Sequence, residues 1–285
     1  MTAQRMIEVD GVSLCVQSFG DPSHPALLLL AGTSCSMDWW PEPLCDLLAD
    51  RGFFVIRYDQ RDSGRSAHDE PGQPSYSLPD LAIDALGVLD AHDIETAHWV
   101  GFSSGGWAAQ LVAVHSPSRV ASLTLISTRP TGHGPADADL PEVADSLLEA
   151  WESAVEPDWD DHEQVLAFLV DSERTLAGEL FDEEAVTAMC GKAVRRARDM
   201  RASVTNHPMA DQGPRWRELL HRVSAPTLVL HGAVDPLFPV DNAHALIAEI
   251  PGARMIAFPG VGHEIPPRLW KDYATAIADH AVSPS

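Results

Sequence analysis

The chain has 285 residues, 45% of them hydrophobic and 21% charged, with 42 acidic against 19 basic side chains and a net charge of −23. Such a surface repels phosphate backbones and anionic headgroups, and the basic residues form no run, so neither nucleic acid nor a membrane is expected as a partner. No segment approaches the ~18 continuous apolar residues of a membrane helix, and Cys15, Cys35, Cys45 and Cys190 match no zinc or redox spacing, so a cytoplasmic protein with reduced thiols is expected.

Short apolar blocks alternate with stretches of helical periodicity, the pattern of a mostly parallel central sheet flanked by helices. In chain order, strands are predicted over 13–19, 26–30, 53–58, 97–102, 123–127, 227–231 and 254–258. Helices are predicted over 41–51, 78–92, 104–115, 240–250 and 267–280. From about 129 to 222 the strand pattern stops, and Pro130, Gly132, Gly134 and Pro135 punctuate the change. The expected organisation is therefore a core formed by 1–128 and 223–285, with a helical cap subdomain inserted over 129–222. Trp151, Trp159, Phe168, Met189, Met200 and Trp216 could face the core from the cap or fill the cap's own interior.

The strand at 97–102 runs into Gly101-Phe102-Ser103-Ser104-Gly105-Gly106 and then into a helix. This is a G-x-S-x-G nucleophile elbow in its strand–turn–helix setting: glycines permit the tight turn and Ser103 projects from it. A serine hydroxyl becomes a useful nucleophile when a base takes its proton, and the base needs an acceptor to orient it. Two later strands end in Gly232-Ala233-Val234-Asp235-Pro236 and in Gly260-Val261-Gly262-His263-Glu264. Both lie at the carboxyl ends of strands, where open α/β sheets keep their sites. Asp235 is the expected acid and His263 the expected base, with His231 structural. The alternative acid position, after the strand ending Ile126-Ser127-Thr128-Arg129-Pro130, offers no carboxylate before Asp137. The loop Ala31-Gly32-Thr33-Ser34 follows the strand at 26–30 and passes over the elbow. Thr33 and Ser104 N–H groups are the expected oxyanion donors, with Ser34 N–H an alternative to Thr33. The segment from Asp59 to Ser66 reads as a structural loop, and Trp107, Trp40 and Trp151 are candidate substrate-binding residues.

On these motifs the sequence resembles the α/β-hydrolase superfamily over essentially its whole length. The segment from Arg57 to Ser66, Trp40-Pro41 and Gly260-Val261-Gly262-His263 resemble the aclacinomycin methylesterase type, which hydrolyses the methyl ester of an aromatic polyketide under a helical cap. The resemblance implies the order Ser103, Asp235, His263, a small-molecule ester substrate and no metal or cofactor. Ser104 replaces a common methionine, and Thr33-Ser34 stand where Gly-Asn is found, so the substrate need not be the same. Ser103 sets the chain apart from relatives with an aspartate nucleophile, and the elbow differs from that of proline iminopeptidases. Cofactor-free haloperoxidase or perhydrolase chemistry, lactone opening and a catalytically inactive binding protein remain open. The oligomeric state is also left open by the sequence.

Overall fold

The computed structural model describes residues 3–282; the outer ends of the expected core segments, 1–2 and 283–285, lie outside the described residues. One sheet of eight strands runs in the order β1 (Arg5–Val9), β2 (Val12–Phe19), β4 (Phe54–Tyr58), β3 (Ala26–Leu30), β5 (Ala97–Phe102), β6 (Val120–Ile126), β7 (Thr227–Gly232) and β8 (Arg254–Phe258). β2 pairs antiparallel with β1 and with β4; the other pairings are parallel. β3, β4 and β7 bury every residue, which is why they read as unbroken apolar runs. β1 is the strand the sequence reading missed. It returns to β2 through Asp10 and Gly11, both at positive φ (48° and 85°), the geometry of a tight two-residue hairpin.

Alternate residues of each strand feed two layers. Leu28, Leu30, Trp99 and Leu125 pack beneath helices α2 (Leu78–Asp90), α3 (Ser104–His115) and α8 (Asp241–Glu249). Leu27, Leu29, Val100 and Ile126 pack on the other face, beneath α1 (Glu42–Ala49) and α9 (Trp270–Val282). Among the described residues no helix is long and apolar enough to cross a membrane.

Between β6 and β7 lie α4 (Asp145–Ser153), α5 (His162–Leu176), α6 (Glu183–Arg196) and α7 (Met200–Met209). Val165, Leu169, Cys190 and Val194 form a small interior of their own, joined by Trp159, Phe168, Met189 and Met200. Those four therefore serve the insertion's own packing. Trp216 behaves differently: it packs with α3 in the sheet's core and donates to Gln110 Oε1 at 3.0 Å.

Ionic contacts seat these helices on the sheet. Arg196 of α6 pairs with Asp38 and, at 2.7 Å, with Asp59; Lys192 reaches Glu42 at 2.6 Å and Asp38 at 3.3 Å. Asp59 also accepts from the N–H groups of Met37 and Arg65, both at 2.9 Å. Asp38 and Asp59 are buried, so removing the guanidinium leaves two carboxylates without it in a low dielectric. Arg196→Met is expected to destabilise the protein by about 3–5 kcal/mol, read as a lowered urea midpoint; a midpoint equal to wild type would show that the pairing contributes nothing net.

Candidate active site

β5 ends at Phe102 and α3 begins at Ser104, leaving Ser103 alone in the turn at φ 53°, ψ −121°. A non-glycine residue at positive φ is strained, and such strain persists where its surroundings hold it. Here Ser103 N–H donates to the Ile126 carbonyl at 2.9 Å, while its own carbonyl accepts from Gly106 N–H at 2.9 Å and Thr128 Oγ1 at 2.8 Å. The flanking glycines are steric requirements. A Cβ at Gly101 would lie 2.4 Å from the Gly105 carbonyl oxygen, and one at Gly105 would lie 2.5 Å from the carbonyl oxygens of Leu30 and Ala31.

His263 Nδ1 and Asp235 Oδ2 are 2.8 Å apart. The second oxygen of Asp235 accepts from the N–H groups of Leu237 and Phe238, each at 2.9 Å, so the carboxylate is aimed by its own loop. The His263 ring lies between Phe102 and Phe238, with centroids 5.1 and 5.3 Å away. His231 bonds the Phe238 carbonyl through Nε2 at 2.7 Å and stands 3.6 Å from Asp235. Burial pushes its pKa down, so it is a neutral brace for the loop that carries the carboxylate.

Ser103 and His263 open onto one cavity of about 400 Å³, whose walls include Thr33, Phe102, Trp107, Arg129, Trp151 and Phe238. Ser104 opens α3, so its N–H is one of the helix's first four and has no intrahelical acceptor. In the loop after β3, Ser34 N–H donates to His207 Nδ1 at 2.8 Å, and His207 Nε2 is 2.6 Å from the Arg61 carbonyl. That bond takes Ser34 N–H out of contention and leaves Thr33 as the loop's candidate donor. Gln60 fixes the same loop through the Ala31 carbonyl at 2.8 Å. The Asp59 to Ser66 segment thus supports the loop rather than entering the cavity.

The three tryptophans divide. Trp107 lines the cavity from α3, and Trp151, 48% exposed, stands at its mouth. Trp40 does not reach it: the side chain is 0% exposed and packs in the core with Leu44 and Phe53. Its neighbour Trp39 is the cavity residue, because the short helical turn Met37–Trp39 sends successive side chains to different sides. The sequence reading missed Phe102, His133, Glu173, Leu237 and Phe238 as cavity residues. The two phenylalanines had a signal in their positions beside Ser103 and three residues after Asp235; the others are set by tertiary packing. Among the described residues no group of three or more His, Cys, Asp or Glu side chains is placed to hold a metal ion.

Glu173 lines both this cavity and a second one of about 420 Å³, and it accepts from Trp39 Nε1 at 3.1 Å. Burial pushes its pKa up to about 7; the Trp39 bond and the neighbouring His263 act in the opposite direction, and the neighbouring Glu264 adds to the rise. The folded carboxyl therefore holds its proton up to about pH 7, whereas the unfolded one releases it near 4.5. Between those values the folded state binds more protons, so stability falls as pH rises and stays lower above pH 7. Glu173→Gln keeps the acceptor and cannot ionise, so it should remove a loss on the order of 2 kcal/mol between pH 5 and 8. Parallel denaturant titrations of variant and wild type at both pH values check this; identical pH slopes would contradict the burial of the charge.

Comparison with known proteins agrees with this architecture. The family model for the alpha/beta hydrolase fold matches residues 25–267. Rhodomycin D methylesterase DauP of Streptomyces sp. (strain C5) is 34% identical, and rhodomycin D methylesterase DnrP of Streptomyces peucetius 32% identical; each alignment covers 97% of this chain and 97% of the relative. The solved structure of esterase RhEst1 from Rhodococcus sp. ECU1013 superposes with a TM-score of 0.76 at 24% identity, covering 97% of this chain and 99% of that one, a likeness of fold. With an eight-stranded sheet, a serine at a strained strand-to-helix turn and a His–Asp pair at the ends of later strands, the chain belongs to the α/β-hydrolase family.

Proposed function

We propose that this protein hydrolyses the methyl ester of a bulky aromatic acid through a Ser103 acyl-enzyme. The chain is a carboxylic ester hydrolase. The observation that carries the mechanism is the shared cavity of Ser103 and His263, with His263 Nδ1 bonded to Asp235 at 2.8 Å. With Nδ1–H donated to the carboxylate, Nε2 keeps its lone pair and serves as the base. His263 takes the Ser103 proton, Ser103 attacks the ester carbonyl, and Thr33 and Ser104 N–H groups stabilise the oxyanion. His263 then protonates the departing alkoxide, and water attacks the acyl-enzyme by the reverse sequence. Asp235 holds the ring orientation and stabilises its charged form.

The aromatic preference is supported by the walls around Ser103, where Trp107, Trp39, Phe102 and Phe238 enclose a volume in the range of small-molecule sites. The methylesterase names of the Streptomyces relatives support the methyl ester. Four buried free cysteines fit a reducing, cytoplasmic setting, and a small-molecule ester is the partner we assign.

Ser103→Ala should cost ~10⁴–10⁶ in kcat with an unchanged melting temperature, and Asp235→Asn about 10⁴ because an amide favours the wrong histidine tautomer. Labelling by a fluorophosphonate at Ser103 in the folded protein is the direct check; failure to label would overturn the nucleophile. Trp151→Ala removes ~50–100 Å² of contact, ~1–2.5 kcal/mol before entropy. KM for a polycyclic aromatic methyl ester should therefore rise by roughly 5- to 70-fold, with a smaller change for p-nitrophenyl acetate. Equal changes for the two substrates would reject the aromatic reading.

A further inference from the structure

Glu173 stands between the Ser103 cavity and the second cavity, and hydrolysis by Ser103, His263 and Asp235 leaves it without a task. It is half-buried, and Trp39, Phe102 and His263 line both cavities with it. Its place beside the base is fixed through the backbone. One turn later on α5, the Leu176 carbonyl accepts from His263 N–H at 2.8 Å, and Leu176 also lines the Ser103 cavity. Glu173 Oε1 accepts from Trp39 Nε1 at 3.1 Å, and among the described residues no lysine or arginine forms an ion pair with the carboxylate. Its neighbour Arg174 is taken by Asp171 and Glu183. In the second cavity Lys192 is taken by Glu42 and Asp38, and Arg57 by Gln17 and Glu42. The other ionisable groups around Glu173 are Glu264, which accepts from Gly178 N–H at 2.8 Å, and the thiols of Cys35 and Cys190, which burial pushes above their ordinary range. Arg129 and His133 line the Ser103 cavity from the segment after β6.

During ester hydrolysis the base becomes an imidazolium twice, once as Ser103 attacks and once as water does. A carboxylate fixed near the ring, in a partly buried site where screening is weak, stabilises that cation more than the neutral ring and so lowers both barriers. We propose that Glu173 acts on catalysis through His263: as a carboxylate it supports the imidazolium formed in each half-reaction, and with a proton on it the enzyme works more slowly. This rests on the ester-hydrolase reading and adds a second carboxylate to the one that orients the ring. Asp235 bonds Nδ1 directly, whereas Glu173 comes from the inserted helices and acts through space, as a positioning residue. Its proton reaches solvent through the second cavity, whose lining includes Glu42 and Lys192 with side chains 35% and 36% exposed.

The test is the pH dependence of kcat and kcat/KM for p-nitrophenyl acetate, a small ester with no ionisable group, read at the isosbestic wavelength of the released phenol. Glu173 keeps its proton up to about pH 7. Wild type should therefore lose two protons along the acid limb, one from the base and one from Glu173, the latter step worth about 3- to 30-fold in rate. Glu173→Gln keeps an acceptor for Trp39 and cannot ionise. It should show a single deprotonation, meet wild type near the acid end where both side chains are neutral, and fall about 3- to 30-fold below it at alkaline pH, with the loss in kcat and little change in KM. Trp39→Phe removes the N–H that favours the carboxylate, so its upper step should move to higher pH. A glutamine profile that superposes on wild type, or that lies below it by one factor at every pH, overturns the proposal; the second outcome is that of a merely structural residue. Should the glutamine variant fail to fold, an upper step left in place by Trp39→Phe overturns it. No hydrolysis by wild type at any pH, together with no fluorophosphonate labelling of Ser103, would instead overturn the esterase reading itself.

Discussion

Helix α3 begins so close to the ends of β3 and β5 that a Cβ on Gly105 would stand 2.5 Å from the Ala31 carbonyl oxygen. That approach leaves no room for a gradual turn, and Ser103 takes up the difference in a conformation of order 1–3 kcal/mol above an ordinary one. The bonds around it, from Ile126, Gly106 and Thr128, belong to a neighbouring strand, the helix and the loop after β6. The turn is thus determined by the packing of the sheet. The same proximity gathers the start of α3, the loop after β3 and the Ser103 hydroxyl around one small volume, which is the requirement for stabilising charge as it forms on a carbonyl oxygen.

The inserted helices complete this volume with polar contacts more than apolar ones. Their own interior is small, and the groups that fix them on the core are Arg196 between Asp38 and Asp59, Lys192 on Glu42, and Asn206 on Asp62 at 2.9 Å. In a chain with 42 acidic residues, buried carboxylates need cations at defined places, and α6 supplies two of them. His207 of α7 goes further, holding Ser34 and hence the loop that approaches Ser103.

Much of this was legible in the sequence because it depends on local chemistry. Fully buried strands read as apolar runs, and an elbow reads as glycines around a serine between a strand and a helix. Asp235 and His263 stood out by their places after late strands. β1 escaped because it is an edge strand with three exposed residues in five, so no apolar run announces it. Trp40 and Trp39 were indistinguishable by composition; only the backbone direction through Met37–Trp39 decides which of them meets the cavity. Glu173 looks like a surface residue in the sequence. Its properties come from burial and from Trp39, 134 positions away along the chain.

The end of α5 and the histidine loop are joined by three hydrogen bonds, two of them backbone to backbone. His263 N–H donates to the Leu176 carbonyl at 2.8 Å, Glu179 N–H to the Gly260 carbonyl at 2.7 Å, and Gly178 N–H to the Glu264 carboxylate at 2.8 Å. The strands of this contact are so close that a Cβ at Gly262 would lie 2.4 Å from the Leu176 carbonyl oxygen. The inserted helices are therefore no detachable module: a hinge that swung α5 outward would carry the His263 loop away from Ser103. A roof transplanted from a relative would leave the His263 loop misplaced unless its α5–α6 connection carried a glycine where Gly178 stands, since a Cβ there would lie 2.2 Å from the Gly260 carbonyl oxygen.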